Sequence, residues 1–323
     1  SADAAGIREA VTDRMTVAGL WTADREVFDA SVRVCAPVLR RSRARTEVRR
    51  WVGEDAVEVA TAGPVVGDAS WAPLLADLLG VPPVEPPLAT ALGATCSATA
   101  GFRDQFYGLA AHCVDAEPAP GRYAPLVTVG MIDPFRNRWG TGSFRFAKQR
   151  WTTPCVDLAG LAAADPTLAA WVSERTTPKV LVATQTRVIE VIVDEEGDLV
   201  PSTPVIAVVP PPGRLFHIAA ALASPVASAL AVREAAGAAL SADTLRLSAA
   251  QVLGLPTPVD PGAWDEGAAL AQEATAAAAN AGEAAWAAAL RQLGPTMCAA
   301  HGLDARAAEP VLDWWLDRVP PWR

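Results

Sequence analysis

Residues 178–209 constrain the fold of this chain more than any other segment. Their sequence, PKVLVATQTRVIEVIVDEEGDLVPSTPVIAVV, contains three apolar runs rich in β-branched residues, at 180–183, 188–193 and 205–209. Such runs favour β-strands. The turn sequence DEEGD at 194–198 supplies a glycine that adopts positive φ at low cost. Since three antiparallel strands are the smallest unit that buries a sheet face stably, this segment predicts the sheet core.

The segments before residue 88 predict an α/β unit that lacks its first half. We expect a helix, three strands and a second helix, at 4–15, 17–21, 32–38, 46–52 and 68–79. Residues 32–38 alternate between apolar and polar, which predicts one buried face, and Pro37 places that strand at a sheet edge or a bulge. Asp68 is the expected N-cap of the second helix. No glycine-rich turn follows a first strand, as a cofactor-binding α/β domain requires.

The proline-rich stretch VPPVEPP at 81–87 predicts an extended linker and a domain boundary. Beyond it, GFRDQFYG at 101–108 is expected to be a loop or the start of a strand. We expect strands at 126–131, 143–147 and 244–247, and an interrupted helix at 158–174. Further helices are expected at 215–223 and 225–235, ending at Gly237, and at 249–253 after the cap Ser248. Residues 264–319 are expected to form three helical segments broken at Gly282 and Gly294-Pro295.

Charge is distributed unevenly along the chain. The net charge of −9 argues against a protein that coats nucleic acid without specificity. Two segments are nevertheless basic. The first contains Arg33, Arg40, Arg41, Arg43, Arg45, Arg49 and Arg50, and the second contains Arg136, Arg138, Arg145, Lys148 and Arg150 among the aromatic residues Phe135, Trp139, Phe144, Phe146 and Trp151.

Cysteine and histidine usage argues against several kinds of site. The five cysteines are widely spaced without a CxxC pair, which favours buried free thiols over a zinc cluster or a disulfide framework. The three histidines stand apart, so no nucleophile, base and orienting group can be assembled around them. No basic and then apolar signal segment opens the sequence, and the alanine-rich run at 274–279 is too short to span a bilayer. We therefore expect a cytoplasmic protein without a membrane.

Several of these segments together resemble N6-adenine DNA methyltransferases. The order of strands 178–209, the apolar helix ending at Ser224-Pro225, and LRLSAAQVLGLPTP at 245–258 resembles their target-recognition domain and the specificity subunits of type I restriction systems. Leu255-Pro256-Thr257-Pro258 occupies the place of the family's Leu-Pro-x-Pro motif, and GFRDQFYGL resembles the loop that enters the domain. Residues 4–39 resemble the end of the catalytic domain.

The resemblance implies a role for Phe28. The family motifs that this sequence lacks imply that it has no catalytic centre. Phe28 matches an aromatic residue that stacks on the flipped-out adenine, although a core position at a strand entry explains it equally well. The chain has no Asn-Pro-Pro-aromatic tetrapeptide and no glycine-rich loop, and Gly140-Thr141-Gly142 is more typical of a turn. We therefore expect no catalytic, metal or cofactor residues here, and S-adenosylmethionine on a separate catalytic part.

Candidate contacts to DNA follow from charge and position. They are Arg103, Arg136, Arg138, Arg145, Lys148, Arg150, Lys179, Gln185 and Arg187. Arginines reach phosphates and guanine edges, and aromatic rings stack or wedge at base steps. Two alternatives stay open: residues 135–151 form an ordinary half-buried hairpin, and the arginines of 33–50 are either part of a DNA cleft or a solvated connector.

The sequence thus predicts an α/β remnant of a methyltransferase domain, an α+β target-recognition domain and a helical C-terminal segment, at 1–80, 88–260 and 261–323. The implied function is sequence-specific recognition of duplex DNA for adenine-N6 methylation, as a fragment of a methyltransferase or as the specificity partner of a separate catalytic subunit. The chain alone is expected to be inactive. The alternative is a protein-interaction module of a phage-defence complex without a DNA role, whose apolar helical segment 264–319 grips a partner.

Overall fold

A computed structural model describes residues 5–25, 27, 34–42, 44–67, 70–236 and 244–320. Predictions on Phe28, Arg33, Arg43, Asp68 and Gly237 lie outside these residues. The chain divides into two compact units, one of residues 1–83 and 232–246 and the other of residues 84–231 and 247–323. The first division falls within the proline-rich stretch, and the helices after residue 260 belong to the second unit.

The first unit is built on a four-stranded sheet with strand order β2-β1-β3-β4. Strands β1 and β3 are parallel, and the other pairs are antiparallel. Its elements are α1 (Ala5–Thr12), β1 (Thr16–Thr22), β2 (Cys35–Arg40), β3 (Val48–Val52), β4 (Val57–Ala62) and α2 (Ala72–Leu78).

The core of the first unit joins the two central strands to α2 through Val17, Leu20, Val48 and Leu74. Strand β2 lies at the sheet edge, as Pro37 predicted. All six of its residues are exposed, so the predicted buried face is wrong. The reason is that an edge strand paired only with β1 does not reach the cluster between the central strands and α2.

The second unit contains two four-stranded sheets and two small hairpins. Its strands are β5 (Ser97–Ala100), β6 (Cys113–Asp115), β7 (Tyr123–Val127), β8 (Ile132–Asp133), β9 (Arg136–Asn137), β10 (Phe144–Phe146), β11 (Gln149–Trp151), β12 (Pro154–Asp157), β13 (Lys179–Ala183), β14 (Glu190–Asp194), β15 (Val200–Pro201) and β16 (Ile206–Val209). The sheets have the orders β14-β13-β16-β5 and β15-β7-β12-β6, and the hairpins are β8–β9 and β10–β11.

The predicted antiparallel core of β13, β14 and β16 is confirmed, with β5 as a fourth strand that sequence reasoning did not assign. Gly197 adopts φ of 76° in the turn after β14. Every residue of β13 is buried. This matches a sheet covered on both faces, where strands are apolar throughout rather than alternating.

The helices of the second unit cover this sheet and extend the core. They are α3 (Arg103–Ala111), α4 (Leu158–Ala164), α5 (Pro166–Ser173), α6 (Leu215–Ala223), α7 (Pro225–Ala235), α8 (Ala249–Gly254), α9 (Pro261–Asn280), α10 (Glu283–Ala300) and α11 (Ala305–Leu316), with the last residues of α7 in the first unit. Helix α6 packs against β13 and β14, and α9 packs against α6 and α10.

Several helix boundaries follow their sequence signals. The predicted bounds of α6 and α7 are confirmed, and the Ser224 hydroxyl accepts a hydrogen bond from the Ala227 N–H at 3.0 Å at the start of α7. Ser248 caps α8 by accepting from the Gln251 N–H. Gly282 ends the first long C-terminal helix with φ of 84°. These positions carry local hydrogen-bonding or backbone requirements that the residue type alone reveals.

Four element predictions are wrong in whole or in part. The strand predicted at 126–131 ends at Val127, and a single 3₁₀ turn follows at Val129–Met131. Residues 103–111 form a helix rather than a loop or strand, and 244–247 form no strand. The expected break at Gly294-Pro295 lies inside α10. Gly294 instead allows close packing, since an added Cβ would lie 3.1 Å from Leu312 and 3.3 Å from Trp315.

Among the described residues, no single helix is long and apolar enough to cross a membrane, and only α6 and α7 taken together, with a bend of 57° between them, reach that length and hydropathy.

Candidate nucleic-acid interface

The hairpin β10–β11 separates aromatic from basic side chains. Phe144 and Phe146 are buried, whereas Arg145 and Arg150 are exposed and lie directly opposite each other. This alternation follows from the period of two residues in a strand. Residues 147 and 148 form the tight turn between the strands, both with positive φ, so Lys148 lies exposed at the tip.

The buried face anchors the hairpin in two apolar clusters. Phe146 packs with Leu109 and Leu126 in one cluster, and Phe144 packs with Leu181 and Ala183 in the other. The Trp151 indole N–H donates to the Phe146 carbonyl at 3.0 Å. The hairpin is thus a fixed support for its exposed cations.

The side chains of the three hairpin cations have no partner among the described residues. Those of Arg145, Lys148 and Arg150 form no ion pair or side-chain hydrogen bond there, while the backbones of Arg145 and Arg150 pair across the hairpin. Like charges directly opposite each other on neighbouring strands are destabilising. An external anion near Arg145 and Arg150 would relieve this repulsion.

Helix α3 lies beside the hairpin. Phe106 contacts Phe146 edge to face, with ring centroids 5.1 Å apart. Arg103, exposed in the first turn, lies over the Tyr107 ring at 5.5 Å. Sequence reasoning missed Phe102 and Tyr107 as exposed rings. For Tyr107 the signal was available in its spacing of four residues from Arg103, which places the two side chains on one helix face.

Gln185 and Arg187 lie in the loop between β13 and β14. Both are exposed, while Thr184 and Thr186, which alternate with them in sequence, are buried. The Thr184 hydroxyl donates to the Pro204 carbonyl at 3.1 Å, which fixes this loop. The loop follows Ala183, the last residue of β13, which belongs to the same buried cluster as Phe144.

The side chains of Arg136 and Arg138 contact other residues of the protein. Arg136 lies 3.8 Å above the Trp286 ring and forms a 2.8 Å ion pair with Glu283. Arg138 lies over Phe144 at 5.5 Å and within 3.8 Å of the Asp133 carboxylate. These two arginines therefore join β8–β9 to its surroundings rather than standing free.

The prediction that Lys179 contacts DNA is wrong. Its side chain is 0% exposed and forms a buried ion pair with Asp194. Burial lowers the pKa of Lys179 and raises that of Asp194, and the mutual attraction opposes both shifts. Asp194 also accepts from the Gly197 N–H at 2.9 Å and the Leu199 N–H at 3.1 Å. Lys179 thus holds the turn after β14 and is inaccessible to DNA.

The arginines of the first basic segment, residues 33–50, also include both exposed and internally paired side chains. Arg40, Arg41 and Arg45 are exposed on the first unit. Arg49 pairs with Glu58, and Arg50 is buried against Asp77 at 2.5 Å. Only part of this cluster is therefore available to a ligand.

The described residues contain no group of three or more His, Cys, Asp or Glu side chains that could hold a metal ion. All five cysteines are free; four are buried, as predicted, and Cys35 is exposed. Burial raises the pKa of the Cys113 thiol to about 12 and that of Cys155 to about 11. These thiols are poor nucleophiles near neutral pH.

Comparison with known proteins adds no assignment. No protein-family model matches the chain, and no curated protein matches it either.

Proposed function

We propose that this chain binds duplex DNA through the hairpin β10–β11, together with Arg103 of α3 and the loop residues Gln185 and Arg187. The observation that carries the proposal is the cross-strand pair Arg145 and Arg150, with Lys148 at the tip, all three without a side-chain partner among the described residues. A protein that exposes three fixed cations on an anchored hairpin favours a polyanionic ligand.

The hairpin suits the DNA major groove. That groove is about 12 Å wide and admits a two-stranded β-ribbon. Arginine side chains there reach both phosphates and guanine edges, while lysine contacts phosphate as a point charge. Gln185 adds an amide that can bind adenine through paired donor and acceptor groups.

The wider proposal follows from the resemblance to N6-adenine methyltransferases. In it, this chain is the target-recognition part, working in the cytoplasm, and a catalytic half or subunit binds S-adenosylmethionine. Phe28 stays the candidate for stacking on the flipped adenine, on a segment outside the described residues. In this proposal the separate catalytic part would supply the methyl group, and this chain supplies recognition of the DNA site.

The test is selection from random duplex DNA at low and moderate salt, followed by sequencing of the retained fraction. We expect a recurring motif containing adenine for the unsubstituted chain, and its loss in the double variant Arg145→Ala, Arg150→Ala. The control is Arg246→Ala, Arg306→Ala, which removes two other exposed arginines and the same net charge. Equal retention by the two variants would count against the hairpin as the binding element.

A second candidate, a protein-interaction module, is favoured by one observation. A groove of about 790 Å³ between α10 and α11 is lined by Leu303, Leu312, Trp315 and Leu316. An apolar interface of this kind should respond little to salt, whereas phosphate contacts weaken steeply as salt rises. Salt dependence of the binding therefore discriminates between the two candidates.

A further inference from the structure

The sheet of the first unit has two faces of different character. One face carries Leu20 and Val48 and forms the buried cluster with α2. Residues that pair directly across neighbouring strands lie on the same face, so the register assigns the other face. Two rows cross it in the order β2, β1, β3, β4: Ala36, Trp21, Trp51 and Glu58, and then Val38, Gly19, Arg49 and Thr61.

This second face is open to solvent. Of its eight residues, Gly19 alone is buried, Trp21 and Trp51 are half-buried, and the others are exposed. Val38 is 43% exposed. An antiparallel sheet that leaves one face in water usually carries polar side chains there. A pair of neighbouring tryptophans in that place indicates a contact surface.

The two tryptophans form a fixed pair. Trp21 and Trp51 are direct partners on the parallel strands β1 and β3. The Trp51 ring lies over the backbone of Gly19, where an added Cβ would be 2.0 Å from the ring. The Trp21 indole N–H donates to the Gly53 carbonyl at 2.8 Å. Both rings are thus positioned in advance, which lowers the entropy lost when a ligand binds.

A cation borders the rings directly. The Arg49 guanidinium lies 5.2 Å from the centre of the Trp51 ring, and its side chain is 58% exposed. It also pairs with Glu58, the one carboxylate in the two rows. The carboxylate nearest the rings is therefore already neutralised by an arginine.

Three further arginines lie towards the start of β1. Arg40 is the direct partner of Thr16, and the Thr16 hydroxyl donates to the Ala44 carbonyl at 2.6 Å, which holds the loop between Arg41 and Arg45 beside β1. All three arginines are exposed and form no ion pair or side-chain hydrogen bond within the described part of the chain. At about 3.3 Å per residue, Thr16 lies roughly 16 Å from Trp21 along the strand. Several nucleotides of a single strand span that distance.

We propose that this face of the first unit binds single-stranded nucleic acid, with bases stacked on Trp21 and Trp51 and phosphates at Arg40, Arg41 and Arg45. Flat rings beside a basic path are the combination that binds unpaired strands, because every base has a π-face and every nucleotide a phosphate. A duplex hides its base faces, and a neutral ligand would leave the three cations without a partner. The site is separate from the hairpin β10–β11 and does not depend on it.

The experiment is anisotropy of a labelled oligothymidine of about 12 nucleotides, titrated with the full chain at several salt concentrations. We expect binding that weakens as salt rises. Trp51→Leu should lower the affinity about 10-fold or more, since it removes a stacking ring. Trp51→Phe keeps a flat ring and should stay within about threefold of the unsubstituted chain. Unfolding midpoints of both variants show whether the half-buried position tolerates the change.

A second variant tests the cations without touching the packed rings. Arg40→Ala, Arg41→Ala changes exposed side chains only and should make the slope of log affinity against log salt shallower by about 1.4. The control Arg246→Ala, Arg306→Ala removes the same charge and should leave the slope unchanged.

The possible results separate this proposal from the proposed function. The chain with Arg145→Ala, Arg150→Ala should largely retain oligothymidine binding. Single-strand affinity that falls in that variant and not in Arg40→Ala, Arg41→Ala would assign the binding to the hairpin and overturn the present proposal alone. No oligothymidine binding at low salt, or binding of neutral maltohexaose in its place, would also overturn it and leave duplex recognition by the hairpin standing.

Discussion

Two basic segments of the second unit are alike in sequence and differ in structure. Residues 133–139 and 144–151 both interleave arginines with aromatic side chains. In the first, Arg136 is covered by Trp286 and paired with Glu283. In the second, Arg145 and Arg150 project into solvent opposite each other. The charge of Arg136 stabilises the fold, whereas the charges of Arg145 and Arg150 are exposed and accessible to a ligand.

The difference arises from α10, whose residues lie about 150 positions further along the chain. Trp286 donates its indole N–H to the Pro134 carbonyl at 2.7 Å, and Phe135 donates its backbone N–H to the Val191 carbonyl at 2.7 Å. The first segment is therefore bound on two sides. No local pattern distinguishes it from the second, because its partners come from distant elements.

The largest expected effect on stability is that of replacing Lys179, whose side chain is fully buried in an ion pair. Lys179→Met leaves the Asp194 carboxylate buried without its partner. Loss of one member of a buried ion pair costs about 3–5 kcal/mol of unfolding free energy. Denaturant unfolding measures it, and Lys179→Met with Asp194→Asn should recover part of the loss. An unchanged midpoint would contradict the structural role of the pair.

Arg136→Ala should have the next largest effect on stability. It removes a cation–π contact and an ion pair at a partly buried site, worth together about 1–2 kcal/mol. Thermal unfolding measures the loss, and DNA affinity should stay within about twofold. A variant that unfolds normally but loses DNA binding would place Arg136 among the free cations and break the comparison.

Lys148→Gly should separate stability from binding. Lys148 adopts φ of 67°, a region that costs a residue with a side chain about 1 kcal/mol relative to glycine. We expect a gain of up to about 1 kcal/mol in unfolding free energy together with weaker DNA binding, because a charge at the hairpin tip is lost. Lys148→Asn is the control, since asparagine also tolerates positive φ and removes the same charge. Destabilisation by both substitutions would contradict the assigned turn geometry.

Local signals predicted much of the fold. β-Branched runs located β13, β14 and β16. Ser224-Pro225 located the end of α6 and the start of α7, and Gly282 located the end of α9. Signals that depend on distant partners failed. Gly294-Pro295 was interpreted as a helix break, although close packing on Trp315 explains the glycine. Helix α3 was missed because its aromatic density was given more weight than its four-residue spacing.

The predictions for the exposure of the site residues divide in the same manner: those that depend on a local pattern are correct, and those that depend on a distant partner are wrong. Alternation in 144–146 correctly separates the exposed Arg145 from its buried neighbours. Lys179 was misjudged because a lysine beside a strand is usually exposed, and its partner Asp194 becomes its neighbour only through strand pairing. The sequence gives the charge of a side chain, whereas its ion-pair partner is known only from the tertiary structure.

The most direct test of the central claim is the salt dependence of DNA binding for the unsubstituted chain and for Arg145→Ala, Arg150→Ala. Each phosphate contact contributes about −0.9 to the slope of log affinity against log salt. We expect the double substitution to make the slope shallower by about two without lowering the unfolding midpoint, since it also removes the repulsion between the opposed arginines. Identical slopes in the two proteins would show that the hairpin cations do not contact DNA and would contradict the account.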